Sequence, residues 1–119
     1  MIVALGANDA LRGLPPQQTE KNLAAILDRL QQVDVTPILA GMKAPRNLGE
    51  AYYSSFDALY PRLAEEFQVP FYPFLLSGVA GRPELNLADG IHPNRRGIAR
   101  MVDGILPLVE AVLSRISTR

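Results

Sequence analysis

The fold of this chain is decided by its opening stretch, Met1-Ile2-Val3-Ala4-Leu5-Gly6-Ala7-Asn8-Asp9, in which a short apolar run is followed by a glycine and two polar residues. An uninterrupted apolar run of this length is typical of a strand that is buried on both faces in the middle of a parallel sheet. Asn8 and Asp9 are residue types that favour a tight turn. We therefore predict that Met1–Leu5 is a central strand and that Asn8 follows its carboxyl end.

Two more apolar runs, Val35–Ala40 and Val69–Phe74, are predicted to be strands of the same sheet. Apolar residues at helical spacing predict three helices, which cover Thr19–Gln32, Glu50–Phe67 and the segment from Pro93 to the C-terminus. The resulting order, β-α-β-α-β-loop-α, implies an α/β fold with parallel strands joined by right-handed helical crossovers. In such sheets, ligands bind outside the carboxyl ends of the strands.

Three residues mark expected helix starts and interruptions. Thr19 is the predicted N-cap of the first helix, because its hydroxyl can accept a hydrogen bond from a free backbone N–H. Pro61 is expected to kink the second helix and Pro107 to bend or split the last one, because proline lacks the N–H that an interior helical position needs.

The only histidine lies in the run Ala88-Asp89-Gly90-Ile91-His92-Pro93-Asn94. Asp89 precedes His92 by three positions, so one tight turn brings a carboxylate against an imidazole, and Gly90 allows that turn without a Cβ penalty. Such a carboxylate orients the imidazole and stabilises the imidazolium that forms when it takes a proton from a hydroxyl. This spacing favours Asp89 as an orienting acid and His92 as a general base. The alternative is that Asp89 caps the following helix and His92 is a polar surface residue.

Asn8 is a second candidate for a catalytic role. Its side-chain NH₂ is a neutral donor directly after a predicted buried strand, and acyl transfer requires a fixed donor aimed where negative charge develops. The alternative is that Asn8 and Asp9 only cap the turn. Because the Asn8 turn and the His92 turn both follow strands, both are predicted at the carboxyl edge of the sheet, which favours an enzyme site.

The composition excludes several classes of function. Twelve basic and twelve acidic side chains give a formal net charge of zero. The chain therefore has no broad positive electrostatic potential that would attract nucleic acid or an anionic membrane. Zero cysteines exclude a disulfide framework and a thiolate nucleophile, and with one histidine we expect no metal site and no cofactor. No segment is long and apolar enough to span a bilayer. No signal peptide is recognised, and the localisation is left open.

The two turns together resemble blocks III and V of the SGNH, or GDSL-type, hydrolases. Block III is matched by Gly6-x-Asn8-Asp9 and block V by Asp89-x-x-His92-Pro93. Further segments are similar to the arylesterase, thioesterase I and lysophospholipase L1 branch of that family. These segments are Leu11-Arg12-Gly13, Pro16-Gln17-Gln18-Thr19-Glu20, Pro45-x-Asn47-x-Gly49, Phe56-x-x-x-Tyr60-Pro61-x-Leu63-Ala64 and Asp89-Gly90-Ile91-His92-Pro93-Asn94.

The resemblance implies a three-layer α/β/α, flavodoxin-like fold with a parallel sheet. It also implies hydrolysis of an ester or thioester, from a small molecule or a lipid, through a serine acyl-enzyme. By position, His92 is then the general base, Asp89 its orienting acid and Asn8 an oxyanion-hole donor. Gly6 matches the block III glycine, whose small size leaves space beside the reacting centre.

The sequence departs from the family at the nucleophile. The family's Gly-Asp-Ser motif after its first strand, and the oxyanion-hole glycine after its second, have no counterpart here. The serines of this chain lie elsewhere, at Ser54, Ser55, Ser77, Ser114 and Ser117. Ser77 lies in the loop before the histidine turn, but nothing around it makes a nucleophile elbow. We therefore expect residues 1–119 to form a single domain, the C-terminal portion of an SGNH hydrolase that is truncated before its third strand.

Two functions follow from this expectation. The first is an esterase or thioesterase whose serine is supplied from outside this chain. The alternative is an inactive fragment that self-associates through an exposed central strand, since an open strand edge invites pairing. In either case we expect a homo-oligomer through Ile2–Leu5, a domain swap, or a complementing N-terminal fragment. A nucleotide or phosphate binder is less favoured, because no glycine-rich phosphate loop follows a strand.

Overall fold

The computed structural model describes residues 1–117. The chain divides into two compact units, Met1–Phe74 and the residues from Leu75 onward. Two short 3₁₀ helices cover Arg46–Leu48 and Pro83–Leu85. The strands and α-helices, in chain order, are β1 (Ile2–Val3), α1 (Ala7–Leu11), α2 (Pro16–Gln32), β2 (Ile38–Ala40), α3 (Glu50–Phe67), β3 (Phe71–Tyr72) and α4 (Arg95–Ser117).

The three strands form one parallel sheet in the order β1-β2-β3. Ile2 pairs with Ile38 across the first ladder, and Leu39 pairs with Phe71 across the second. The predicted α/β fold with a parallel sheet is therefore confirmed, and the predicted order of elements is observed with one added short helix, α1.

The expectation that Met1–Leu5 is buried on both faces is wrong for this structure. Val3 is 3% exposed, but Ile2 is 46% and Leu5 54% exposed. The physical reason is that successive side chains point to opposite faces of a strand, and Val3 is the one residue of this stretch that belongs to the core packed against α2 and α3. Only the side chain that points toward the helices is covered, while its neighbours remain in solvent.

The core of the first unit lies between the sheet and the apolar stripes of α2 and α3. Each large side chain that is fully buried there stabilises the unit by about 1.5–3 kcal/mol. The fully buried members of this core are Leu27, Leu39, Phe56, Leu59 and Leu63, and Tyr60 is 1% exposed beside them. The Tyr60 hydroxyl donates a hydrogen bond to the Leu5 carbonyl at 2.8 Å, which ties α3 to the end of the first strand segment.

The helix α2 begins earlier than the predicted N-cap at Thr19. It starts at Pro16, where the missing N–H of proline is no loss. Thr19 is buried within the helix, and its hydroxyl donates to Asp9 Oδ2 at 2.8 Å. The hydroxyl that was expected to cap a helix thus holds the turn after β1. The predicted ends of this helix at Gln32 and of α3 at Glu50–Phe67 agree with the structure.

The second unit is built on α4, which continues through Pro107 and is not split there. The helix buries Ile105 and Val112. Five large apolar side chains of α4 are exposed, at Ile98, Val102, Leu106, Leu113 and Ile116. Among residues 1–117, no helix combines the length and the apolar character that crossing a bilayer requires.

Candidate active site

The Asp89 carboxylate lies directly against the His92 imidazole. Asp89 Oδ2 is 2.5 Å from His92 Nδ1, and Oδ1 accepts backbone hydrogen bonds from Ile91 and His92 at 2.9 and 3.0 Å. One turn therefore brings the carboxylate and the ring together, as the spacing of three residues predicted.

The surrounding backbone holds this turn in place. Leu87 N donates to His92 O at 2.7 Å, and Gly90 N donates to Leu87 O at 2.9 Å. Gly90 has a φ of 70°, in the left-handed region that favours glycine. An antiparallel bridge between Asn86 and Pro93 closes the base of the loop. Asp89 and His92 thus lie on a segment that is hydrogen-bonded to itself.

Asn94, and not Asp89, caps α4. Its Oδ1 accepts the backbone N–H of Gly97 at 3.0 Å, and its Nδ2 donates to Glu84 O at 3.0 Å. The alternative in which Asp89 caps the helix is therefore wrong, because the Asp89 oxygens are directed to His92 and Ile91. This helix cap was not predicted from the sequence, although an asparagine directly before a helical run is an N-cap signature.

The hydrogen bond from the His92 ring, with the backbone N–H groups of His92 and Ile91, lowers the pKa of Asp89 to about 2. At neutral pH this carboxylate is ionised and can only accept hydrogen bonds, so Nδ1 of His92 carries the hydrogen. Nε2 has no hydrogen-bond partner within the described part of the chain, and the His92 side chain is 70% exposed. In the neutral ring, Nε2 is therefore open to accept a proton from a hydroxyl.

In the first unit, Gly6 begins the turn that carries Asn8. Gly6 has a φ of 115°, and a Cβ there would collide with the Tyr60 hydroxyl. This glycine is thus required by the backbone conformation and by the close approach of Tyr60, a contact that no local pattern reveals.

Asn8 lies in the first turn of α1, and its side chain is exposed. No side-chain hydrogen bond caps this helix, so the alternative in which Asn8 serves as a side-chain cap is not observed. Asp9 instead accepts the Thr19 hydroxyl. The Asn8 amide is therefore unengaged within residues 1–117 and can donate to a bound group.

The loop after β2 begins at the same edge of the sheet as the Asn8 turn, since β1 and β2 are adjacent and parallel. Asp57 of α3 anchors this loop with both carboxylate oxygens. Oδ1 accepts Ala44 N at 2.8 Å and Oδ2 accepts Arg46 Nη1 at 2.7 Å. A cavity of about 370 Å³ lies beside Asn8, lined by residues 4–9 and by Thr19, Asn22, Leu23 and Ile26 of α2.

The serines are placed as the sequence predicted. Ser54 and Ser55 lie in α3, and Ser114 and Ser117 lie in α4. Ser77 is exposed in the turn at residues 75–81, and no hydrogen bond joins it to His92 in the described structure. Within residues 1–117, no group of three or more histidine, cysteine or acidic side chains is arranged to hold a metal ion.

Residues 1–100 match the model of the GDSL-like Lipase/Acylhydrolase family. The chain is 45% identical over 95 residues to "Thioesterase 1/protease 1/lysophospholipase L1" of Escherichia coli (strain K12), a match that covers 80% of this chain and 46% of that protein. The chain thus spans about half the length of this curated relative.

Solved structures agree with this match. A crystal structure of TesA superposes with a TM-score of 0.84 at 33% identity, covering 89% of this chain and 59% of that one. AlinE4, an SGNH-hydrolase family esterase, superposes with a TM-score of 0.72 at 44% identity, covering 94% of this chain and 59% of that one.

Proposed function

This chain belongs to the GDSL-like lipase/acylhydrolase family, and on that premise we propose that it provides the acid–base pair and one oxyanion donor of a carboxylic ester or thioester hydrolase. The observation that carries the proposal is the contact of Asp89 with His92 Nδ1, which leaves Nε2 open. A carboxylate–imidazole pair with a free second nitrogen is the arrangement that activates a serine hydroxyl.

In the proposed reaction, His92 Nε2 takes the proton of a serine hydroxyl while the serine oxygen attacks the carbonyl carbon of the substrate. The carbonyl oxygen becomes an oxyanion, to which the Asn8 amide donates. His92 then gives its proton to the leaving alcohol or thiol as the acyl–oxygen or acyl–sulfur bond breaks. A water molecule, deprotonated by His92, then attacks the acyl carbon, and His92 returns that proton to the serine oxygen as the acyl–serine bond breaks and the carboxylic acid leaves. Asp89 stays ionised throughout and stabilises the imidazolium.

We place the nucleophile of this proposal outside residues 1–119. Four of the five serines lie on helices, and within residues 1–117 no hydrogen bond joins Ser77 to His92. The relatives are also longer: the match covers 46% of the Escherichia coli protein and 59% of the TesA structure. A serine supplied by a further part of the hydrolase domain is consistent with both observations.

The open edge of β1 supports association with such a part. Ile38 N donates to Met1 O at 2.8 Å, and Ile2 is the register partner of Ile38. In a parallel ladder, alternate residues direct their backbone groups to opposite edges, so the N–H and C=O groups of Ile2 and Ala4 point away from β2. With the exposed side chains of Ile2 and Leu5, this edge is suited to receive an added strand.

The same observations favour a second candidate, an inactive fragment that self-associates. In this candidate, the β1 edge would pair with the β1 edge of a second copy. Both candidates require association, and they differ in whether a nucleophile is present.

The test combines labelling and turnover. The 119-residue chain is treated with a fluorophosphonate probe and assayed with a p-nitrophenyl ester, alone and after co-expression with the Gly-Asp-Ser-bearing part of an esterase relative. We expect labelling and turnover only in the co-expressed sample, abolished by His92→Ala and retained by Gln17→Ala, a change at an exposed position of α2. Labelling of the chain alone would place the nucleophile within it. A stable complex without turnover would support the inactive candidate.

A further inference from the structure

The helix that carries Asn8 is too short to be stable by itself. The helix α1 has five residues, Ala7–Leu11, and no side-chain hydrogen bond caps its start. Isolated helices shorter than about 12–15 residues are marginal in water, because few hydrogen bonds offset the ordering of the backbone. The conformation of Asn8 therefore depends on side chains from outside α1.

Thr19 of α2 contacts this helix on both sides of Asn8. Its hydroxyl donates to Asp9 Oδ2 at 2.8 Å, and within residues 1–117 this is the one side-chain hydrogen bond that reaches a residue of α1. Its methyl carbon lies 3.4 Å from the position that a Cβ at Gly6 would take. One side chain thus bonds to the residue after Asn8 and lies beside the residue two positions before it.

Thr19 is itself held in a fixed position. It is 1% exposed, and it belongs to a 17-residue helix that buries Leu23 and Leu27 in the core. Because so little of Thr19 is exposed, it has little surface with which to touch a group bound in the cavity beside Asn8. Its effect on such a group is therefore transmitted through Asp9 and the backbone of α1.

Resting on the proposed hydrolase function, we infer that Thr19 is a positioning residue for the oxyanion donor, and that it holds the Asn8 amide in place through Asp9. An oxyanion donor is effective only if it is fixed before the charge develops, so that no reorganisation is needed during the reaction. A displacement of about 1 Å within an active site can lower the rate about 10²-fold. The hydroxyl of Thr19 thus contributes to turnover without contacting the reacting atoms.

The first test measures the order of the Asn8 backbone by ¹⁵N relaxation in the isotope-labelled 119-residue chain. The order parameter is about 0.85 for a rigid backbone and below about 0.6 for a flexible one. We expect a rigid Asn8 N–H in the unaltered chain and a fall toward 0.6 in Thr19→Val, which keeps the shape of the side chain but removes its hydroxyl. Thr19→Ser retains the donor and should restore much of the order.

The matched control is Thr36→Val, the same change at a half-buried threonine. The Thr36 carbonyl accepts the amino group of Met1, so this threonine lies at the opposite end of β1 from the Asn8 turn. Thr36→Val should leave the order parameter of Asn8 unchanged. Asp9→Ala removes the acceptor of the same hydrogen bond at a half-buried position. It should loosen Asn8 as Thr19→Val does, so the result does not depend on the folding of one variant.

The second test is a double-mutant cycle in the co-expressed enzyme, measured by steady-state ester hydrolysis. Thr19→Val should lower kcat about tenfold to 10²-fold and change KM by less than about twofold, because the donor acts mainly in the transition state. In the Asn8→Ala background, Thr19→Val should lower kcat by less than about twofold, since no donor remains to be positioned. A merely structural role of Thr19 would lower kcat equally in both backgrounds.

An equal loss in the two backgrounds, or an Asn8 N–H that stays rigid in both Thr19→Val and Asp9→Ala, would overturn the role of Thr19. The relaxation measurement needs no nucleophile, so it is independent of ester turnover. Full turnover by Thr19→Val would overturn the role of Thr19 alone. A loosened Asn8 in a chain whose co-expressed form shows no His92-dependent turnover would overturn the proposed function, and with it the contribution of Thr19 to catalysis.

Discussion

The Tyr60 hydroxyl occupies the space in which a side chain at Gly6 would lie. The same hydroxyl donates to the carbonyl of Leu5, the residue before this glycine. Burial raises the pKa of Tyr60 well above its ordinary value, so the hydroxyl stays protonated and remains a donor. One contact between a helix side chain and a strand end thus fixes the backbone from which the Asn8 turn departs.

Gly6→Ala should destabilise the first unit by about 2–5 kcal/mol, because it adds a strained positive φ to a steric collision. The measurement is the free energy of unfolding in urea. Gly13→Ala is the matched control, since Gly13 also has a positive φ but nothing lies near its absent Cβ. Gly13→Ala should lower the free energy of unfolding by about 1 kcal/mol. Equal losses in the two variants would show that the Tyr60 contact contributes nothing.

Asn8→Ala in the co-expressed enzyme should lower kcat by about 10²-fold to 10³-fold with little change in KM, because an oxyanion donor acts mainly in the transition state. The measurement is steady-state ester hydrolysis. The matched control is Gln17→Ala, which removes another exposed amide of the first unit. A loss that appears in KM and not in kcat would contradict the oxyanion role of Asn8.

The Asp89 carboxyl should titrate with a pKa of about 2, below its ordinary value of 3.8. Because the pKa is lowered in the folded state, the stabilisation that the charged carboxylate provides is complete above about pH 4. It is lost as the pH falls from 3.8 toward 2. The measurement is the ¹³C shift of the Asp89 carboxyl as a function of pH. His92→Ala removes the largest cause of the shift and should raise the pKa toward 3.8. An unchanged titration midpoint in that variant would mean that the backbone N–H groups alone lower the pKa of Asp89.

Asn94→Ala should destabilise the second unit by about 1–2 kcal/mol, because the Gly97 N–H loses its cap and two loop carbonyls lose a donor. The measurement is hydrogen exchange of the Gly97 amide, which should become faster. Asn94→Asp retains the capping oxygen and should protect that amide better than alanine does. Identical exchange in both variants would exclude the capping role.

Local patterns predicted the parts of the structure that depend on neighbours in sequence. The bounds of α3 follow from apolar residues at helical spacing, and the Asp89–His92 contact follows from a separation of three residues. Thr19 shows where such patterns fail. It satisfies the rule for an N-cap, but it lies inside α2, because the helix already begins at the prolines before it. Its hydroxyl is bound to Asp9, ten residues away.

The sequence by itself determined the α/β order, the parallel sheet and the Asp89–His92 turn, because helical periodicity, apolar runs and turn residues act over a few positions. The tertiary structure decided which of those elements are covered. Only the sheet order shows that β1 is an edge strand of the sheet formed by residues 1–117, and only side-chain packing shows that Ile2 lies in solvent. Only long-range packing shows that Gly6 must accommodate Tyr60. Burial and close approach depend on residues far apart in the chain, and a pattern of a few neighbouring residues does not show which distant residues come into contact.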